Sequence, residues 1–391
     1  MTSPSTATQE EVRRHNLGRL LGLVHVNGAM SRAELTASTG LNRSTVRALA
    51  TELSELGLVR EASPVSTGGA GRPSIVVEPS EQHVFVVAID IGVEHLVAAR
   101  VGLGGAVLDR RSIGQPRDDY DVRVTLTHIR TLVRRLLRAA PEGAMCVGIG
   151  VGVCGLVGSE TGVVRFAPNL GWIDVPLGEL LVEYLGATQP VVVGNDGDLG
   201  ALAEHIRGAG RGATDLVYLS GEVGLGGGII LDGRPLAGAG GYAGEIGHMC
   251  VNPKGRWCRC GRRGCWETEV GEDAILLATG LPAGTTLEAV LAAYDADSPG
   301  VRRGLGRIGH WLGTGVTDLV NIFNPQVVIF GGVTRDIFRL TAKDVRAAMT
   351  TALTAPRDQV LLAAPDLGAD STLLGAAELA FAPLIDNPLT V

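Results

Sequence analysis

GHMCVNPKGRWCRCGRRGCWE, residues 247–267, places one histidine and four of the chain's six cysteines within one short segment. Imidazole nitrogen and thiolate sulfur are the donors that zinc and similar metals prefer. The cluster admits three readings: a disulfide knot, a catalytic metal centre, or a clamp that holds a neighbouring site in shape. A bridge between Cys258 and Cys260 would be strained at that spacing. Two further cysteines, Cys146 and Cys154, lie far from the cluster in a chain of 391 residues. A disulfide framework is therefore disfavoured, and the cysteine usage points to a reducing cytoplasm.

A chain this long, 45% hydrophobic and 19% charged, has material for two or three packed domains. It contains no run of eighteen apolar residues, and the stretch MTSPSTATQEEVRRHN lacks an apolar export segment. Neither a membrane span nor a signal peptide is expected. The net charge of −7 is unevenly spread: residues 1–80 sum to +1 and the rest to −8. Any contact with DNA must then come from a few well-placed arginines in the small part, not from a general basic field.

The elements that must position such residues are legible from periodicity. EEVRRHNLGRLLGLVHVNG sets Val12, Leu17, Leu20, Leu21 and Val24 on one helical face and stops at Asn27-Gly28. SRAELTASTG opens with Ser31 and carries Glu34 three residues later, a capping box. LNRSTVRALATELSELG turns Val46, Leu49, Ala50 and Leu53 inward and Arg43, Ser44 and Arg47 outward. Two helices joined at Gly40 read as a helix-turn-helix, and LVREA and PSIVVEP around SPVSTGGAGR read as its wing. In such modules the start of the second helix enters the major groove, which makes Arg43, Ser44, Thr45 and Arg47 the candidate DNA-reading residues. Arg72, in the wing, is placed for backbone or minor groove.

From residue 82 the pattern changes to apolar strands and glycine turns. HVFVVAIDIG, HLVAARVGL and GAVLDRRSI read as three successive strands, followed by the amphipathic helix VRVTLTHIRTLVRRLLRAA and the strands MCVGIGVGV and PVVVGND. A second set follows with TDLVYLS, GGIILDGRP and PQVVIFGG among helices near 301–321 and 336–354. Two α/β lobes are expected, about 82–196 with a carboxy-terminal helix 372–385, and about 197–371, after a winged helix-turn-helix at 1–80. Ligands of such folds bind where strand ends meet glycine turns, so the interlobe cleft is the expected site.

GIGVGVCGLVGSETGVVRFAPNLGW, VGNDGDLGALAE, GLGGGIILDGRPLAGAGGYAGEIGHM and the cysteine cluster occur in an order and spacing that resemble the ROK family of sugar kinases and sugar-responsive repressors. The resemblance covers residues 15–385 and implies an actin-like, ribonuclease H-like α/β fold. His248, Cys258, Cys260 and Cys265 then form a ligand set suited to tetrahedral zinc with no open position, a structural site. Cys250 is left over and is expected to be a small buried hydrophobe. The resemblance also implies a sugar site built from Asn195 and Asp196 after a strand, Glu245 and His248 of GEIGH, and Glu267 after the last zinc cysteine, with Asn169 as a further candidate. Carboxylates and amides suit a polyol because each engages adjacent hydroxyls.

In kinases of the family Asp196 would be the general base toward the sugar hydroxyl. The phosphate loops depart from the kinase pattern. Where family kinases have Asp-x-Gly-Gly-Thr, this chain reads Asp90-Ile91-Gly92-Val93-Glu94; where they have Gly-Thr-Gly-x-Gly-Gly-Gly, it reads Glu222-Val223-Gly224-Leu225-Gly226-Gly227-Gly228. Both turns lose a hydroxyl and gain a carboxylate. Two like charges at ~4 Å cost on the order of 4 kcal/mol at an effective dielectric near 20, so each glutamate opposes a nucleotide. The expectation is a non-enzymatic regulator, a repressor that binds a palindromic operator as a homodimer or tetramer and responds to a sugar or sugar phosphate. The alternative is an ATP-dependent sugar kinase with an appended DNA-binding domain.

Overall fold

The computed structural model describes residues 8–62, 75–115, 120–282 and 284–390. Two compact units emerge from its internal contacts: Met1–Val151, Gly178–Val192 and Ala376–Val391 form one, Gly152–Leu177 and Val193–Gly375 the other.

Thr8 opens the first helix, α1 (Gln9–Asn27): its side chain accepts from the Glu11 backbone while Glu11 returns the bond. Leu17, Leu20, Leu21 and Val24 are fully buried, whereas Val12, expected on the same face, is exposed. It sits in the first turn, where the Arg13–Glu52 ion pair marks the solvent edge. After β1 (Met30–Ser31) the Ser31/Glu34 capping box forms as read from the sequence and starts α2 (Arg32–Thr39). Gly40 ends α2 in the left-handed conformation at φ 70°, which a side chain would resist. Asn42 then caps α3 (Arg43–Glu55), with Val46, Leu49, Ala50 and Leu53 buried. β2 (Val59–Ala62) and β3 (Val76–Pro79) pair antiparallel in the order β1-β3-β2. The loop with Arg72 lies outside the described residues.

Strands β4 (Val84–Ile91), β5 (His95–Gly102) and β6 (Val107–Gly114) form an antiparallel meander beneath α4 (Val122–Arg138), followed by β7 (Met145–Val153). A small sheet holds β8 (Leu156–Val157), β9 (Val164–Ala167) and β10 (Trp172–Val175), and α5 (Leu177–Leu185) leads to β11 (Val191–Asn195). The five-stranded sheet runs β11-β7-β4-β5-β6. β4, third in that order, is buried at every position, as VFVVAIDI requires. β6, at the edge, carries Arg110 and Arg111 toward solvent.

The second five-stranded sheet forms as α6 (Asp196–Arg207) gives way to β12 (Leu216–Gly221), β13 (Leu225–Leu231) and β14 (Arg234–Pro235). After the cysteine segment come α7 (Trp266–Val270), α8 (Glu272–Thr279), α9 (Leu287–Asp295), α10 (Pro299–Phe323), β15 (Val327–Gly332), α11 (Val333–Ala348), α12 (Thr354–Gln359), β16 (Leu361–Ala363) and α13 (Ser371–Asp386). The order is β14-β13-β12-β15-β16, antiparallel on the β13 side and parallel from β12 to β16. Glycine 315 of α10 leaves room for the Trp266 ring, whose indole N–H donates to the Trp311 carbonyl at 2.9 Å. That buried tryptophan fixes α7, and with it Cys265 and Glu267.

Candidate functional site

Arg43, Ser44 and Arg47 are exposed on the first turns of α3, and Thr45 is half-buried. The Asn42 carboxamide oxygen accepts from the Thr45 backbone at 2.9 Å and from the Ser44 hydroxyl at 2.6 Å, so both residues also stabilise the cap. Sequence reasoning missed Ala48 and Thr51. They follow Ser44 and Arg47 at helical spacing, and the four line one hollow together with Arg13, Glu52 and Glu55. Arg13 meets Glu52 through two bonds of 2.6 and 3.1 Å, tying α1 to α3. The signal was present in the outward stripe of α3.

The ligand atoms of His248, Cys258, Cys260 and Cys265 all lie within 4.8 Å of one another. His248 Nδ1 stands 3.6 Å from Cys258 Sγ, and the sulfurs of Cys260 and Cys265 are 3.6 Å apart. Bonds of about 2.3 Å to sulfur and about 2.0 Å to nitrogen set the donors of a tetrahedral metal about 3.5–3.8 Å apart, so the set fits a four-coordinate ion. Local backbone geometry brings the sulfurs together. The Cys258 amide donates to the Arg262 carbonyl at 2.8 Å and the Gly261 amide to the Cys258 carbonyl at 3.0 Å, with Gly261 at φ 86°. Burial and the Glu267 carboxylate push the Cys258 thiol up, and burial and Cys260 raise Cys265. A bound cation would replace these protons. Cys250 is exposed, not buried as expected: its segment pairs edge-on with Cys265, and its thiol reaches the Arg263 carbonyl at 3.5 Å.

Carboxylates gather beside the thiols. Glu267 Oε1 accepts from the Cys258 thiol at 2.8 Å and lies 3.5 Å from His248 Nδ1, while His248 Nε2 faces Glu245 at 3.9 Å. The imidazole thus turns one nitrogen to the sulfurs and the other to Glu245. Asn169, His248 and Glu267 line a cavity of ≈ 200 Å³ with Arg256, Trp257 and Arg259, and Arg259 donates to Asn169 Oδ1 at 2.8 Å. Asn195, Asp196 and Glu245 are not among its lining residues. Asn195 caps α6: its carboxamide oxygen accepts from the amides of Gly197 and Asp198, and its nitrogen donates to the Gly155 carbonyl. Asp196 follows it as the first residue of α6, and its carbonyl accepts from Thr372.

Asp198 is the residue the sequence reading passed over. Burial and the nearby Glu245 push its carboxyl up to about 7, so both protonation states are populated near neutrality. Glu245 is itself raised by burial, with Glu267 adding to the rise and His248 opposing it. The repeat of an acid two positions after Asp196 was the available signal. In the other unit, at the first of the two turns compared with phosphate loops, His95 Nε2 pairs with Asp90 at 3.1 Å. A Cβ on Gly92 would overlap the His95 ring.

The ROK family profile matches residues 86–382, about three-quarters of the chain. The chain belongs to the ROK family. An IclR helix-turn-helix domain matches residues 23–63, so the fold is an actin-like α/β ROK domain preceded by a DNA-binding module. Among ROK proteins, the chain is 31% identical to the xylose repressor of Bacillus subtilis strain 168 over 83% of each chain. The crystal structure of a ROK family transcriptional regulator, a homologue of the Escherichia coli MLC protein, superposes with TM-score 0.80 at 27% identity, covering 96% of this chain and 97% of that one. A ROK glucokinase from Streptomyces griseus, solved with glucose and AMPPNP, gives TM-score 0.66 at 29% identity over 76% of this chain and 99% of its own. Among the described residues no helix is long and apolar enough to cross a membrane.

Proposed function

We propose that this chain is a sugar-responsive, DNA-binding transcriptional repressor of carbohydrate-metabolism genes, acting in the cytoplasm. The observation that carries it is coverage. The glucokinase is matched over nearly its full length yet accounts for 76% of this chain, whereas the regulator accounts for 96%. The ROK profile itself starts at residue 86, after the helix-turn-helix.

Arg43, Ser44, Thr45 and Arg47 read base edges, and Arg72 of the wing holds the backbone or minor groove. Two recognition helices about 34 Å apart in a homodimer or tetramer match a palindromic operator. Asn169, Asn195, Asp196, Glu245, His248 and Glu267, joined by Asp198, take the sugar or sugar phosphate. His248, Cys258, Cys260 and Cys265 would hold a structural zinc, since four protein donors leave no position for substrate or water. The ion would keep the thiolates and the imidazole in place, so that Glu267 and His248 Nε2 face a polyol from a fixed frame.

Kinase activity is opposed by Glu94 and Glu222 in the two turns and by His95, which closes over Gly92. A sugar releases DNA only through its differential affinity for the two states. The test is a gel-shift titration on DNA upstream of the protein's own gene, repeated with D-xylose, D-glucose and their phosphates. A specific complex dissolved by one sugar is the expected outcome. Turnover of ATP with a hexose, or sequence-indifferent binding untouched by any sugar, would overturn the reading.

A further inference from the structure

The loop 254–263, inside the cysteine segment, carries five basic residues in ten positions: Lys254, Arg256, Arg259, Arg262 and Arg263. Its backbone is a tight hairpin in which Trp257 pairs with Arg263 and the Gly264 amide donates to the Arg256 carbonyl at 2.9 Å. Arg263 stacks over the Trp257 ring at 5.3 Å and donates its Nε–H to the Gly255 carbonyl at 3.2 Å, so the indole is held from one side. Trp257 nevertheless stays 70% exposed, and it lines the ≈ 200 Å³ cavity together with Asn169, His248 and Glu267. A tryptophan left in water at a cavity wall is a stacking surface, since the C–H groups of a sugar pack against the electron-rich face of the ring.

Arg256 and Arg259 line the same cavity. Arg259 uses one N–H on Asn169 Oδ1, and Arg256, half-buried, has no side-chain partner among the described residues. Neither guanidinium is in an ion pair among those residues, although a charge withdrawn from water gains most from one. The cavity is no general anion trap, because the carboxylates Glu267 and Asp273 share its lining. A ligand that suits both sets offers hydroxyls to the carboxylates and negative charge to the arginines. Phosphate suits a pair of guanidiniums better than a carboxylate does: its terminal oxygens accept from two forks at once, whereas one fork satisfies a carboxylate. All of these residues belong to one compact unit, Gly152–Leu177 with Val193–Gly375.

We propose that Arg256 and Arg259 bind the phosphate of a sugar monophosphate whose ring lies against Trp257, so that the effector is a phosphorylated sugar. This rests on reading Asn169, His248 and Glu267 as effector-binding residues, and it names the class of sugar that their cavity selects. Trp257 accepts any sugar ring of fitting size, and the two arginines set the preference for the phosphorylated form.

Calorimetry on the full chain, with its zinc content measured, compares D-glucose, D-xylose, their monophosphates, D-glucuronate and inorganic phosphate. A sugar monophosphate should bind at least about tenfold more tightly than its parent sugar and than inorganic phosphate, the order of one charge-assisted hydrogen bond. Arg256→Gln should remove most of that advantage and leave the affinity for the parent sugar unchanged. Arg256→Lys should restore only part of it, because a point charge does not reproduce the fork. Trp257→Leu should weaken both forms by the same factor and remove the change in tryptophan emission on binding. The comparison of wild-type affinities decides the question even where a variant does not fold. A parent sugar or D-glucuronate that binds as tightly as the monophosphate overturns the proposal and leaves the sugar site standing; so does an Arg256→Gln variant that loses both forms equally. Inorganic phosphate as tight as any sugar monophosphate marks an anion site only and overturns it too. If no sugar of either form binds, the effector reading falls and the proposal with it.

Discussion

Asp198 makes the electrostatics at the start of α6 measurable. Its carboxyl is raised from 3.8 to about 7, first by burial and then by Glu245. The folded chain therefore binds a proton that the unfolded chain has released, so stability falls as pH rises, from about pH 4 until the folded group has ionised near pH 7. At 1.36 kcal/mol per pK unit the full penalty is about 4 kcal/mol, of which about 3 kcal/mol develops between pH 5 and pH 8. Asp198→Asn removes the charge and keeps the shape. The variant should match wild type near pH 4 and exceed it at pH 8 by up to about 4 kcal/mol. Urea unfolding followed by tryptophan emission is suited to this test, because Trp172, Trp257, Trp266 and Trp311 all lie in the unit that holds Asp198. Equal pH dependence in the two proteins would refute the claim that burial sets this carboxyl.

Three more outcomes follow from named contacts. Arg47→Ala should weaken operator binding by about 1–3 kcal/mol and relax preference at one base if the guanidinium reads a base edge; a uniform loss with a salt slope shallower by about 1 would make it a phosphate contact, both read by anisotropy titration across salt. Cys265→Ser should abolish stoichiometric zinc, measured by elemental analysis of purified protein, and weaken sugar binding in calorimetry. Retention of zinc with unchanged sugar affinity would separate the cluster from the pocket. Glu204 is fully buried and accepts from the Ala209, Asp366 and Leu367 amides and the Ser371 hydroxyl at 2.8–3.2 Å. Glu204→Gln turns an amino group toward two of these donors and should cost about 2–6 kcal/mol in urea unfolding at about 1–3 kcal/mol each; a shift below about 0.5 kcal/mol would sink that account.

Local chemistry was legible wherever one residue type had one use. The Ser31/Glu34 capping box, the stop at Gly28, the inward stripe of α3 and the longer strands of both large sheets follow from side-chain period and turn residues alone, whereas β14 and β16, of two and three residues, do not. The small sheet β8–β10 was not legible, because VRFA and WIDV are four-residue strands too short to show alternation. Cys250 defeated the reading for another reason: cysteine is most often buried, and its exposure here is set by the edge pairing with Cys265. Asn195 was read for its chemistry and has a second use as a helix cap. Both of its amide atoms are committed to backbone partners, so the sugar contact proposed for it would be made by a fixed side chain.

The glycine run at 224–228 shows why a phosphate-loop pattern has to be weighed against packing. Gly226, Gly227 and Gly228 pair across from Ser220, Leu219 and Tyr218 in β12. A Cβ on Gly228 would stand 2.7 Å from the Asp198 Cα, and one on Gly197 would stand 2.7–2.8 Å from the Gly227 backbone. The glycines therefore let the first turn of α6 lie directly on β13, and this approach is what carries Asn195, Asp196 and Asp198 to their places. Close packing needs these glycines whether or not a nucleotide ever binds, so their presence says nothing for a kinase. The proposed regulator reading rests instead on residue type in the two turns, Glu94 and Glu222 in place of the hydroxyls of the kinase pattern, and ATP turnover with a hexose is the measurement that tests it.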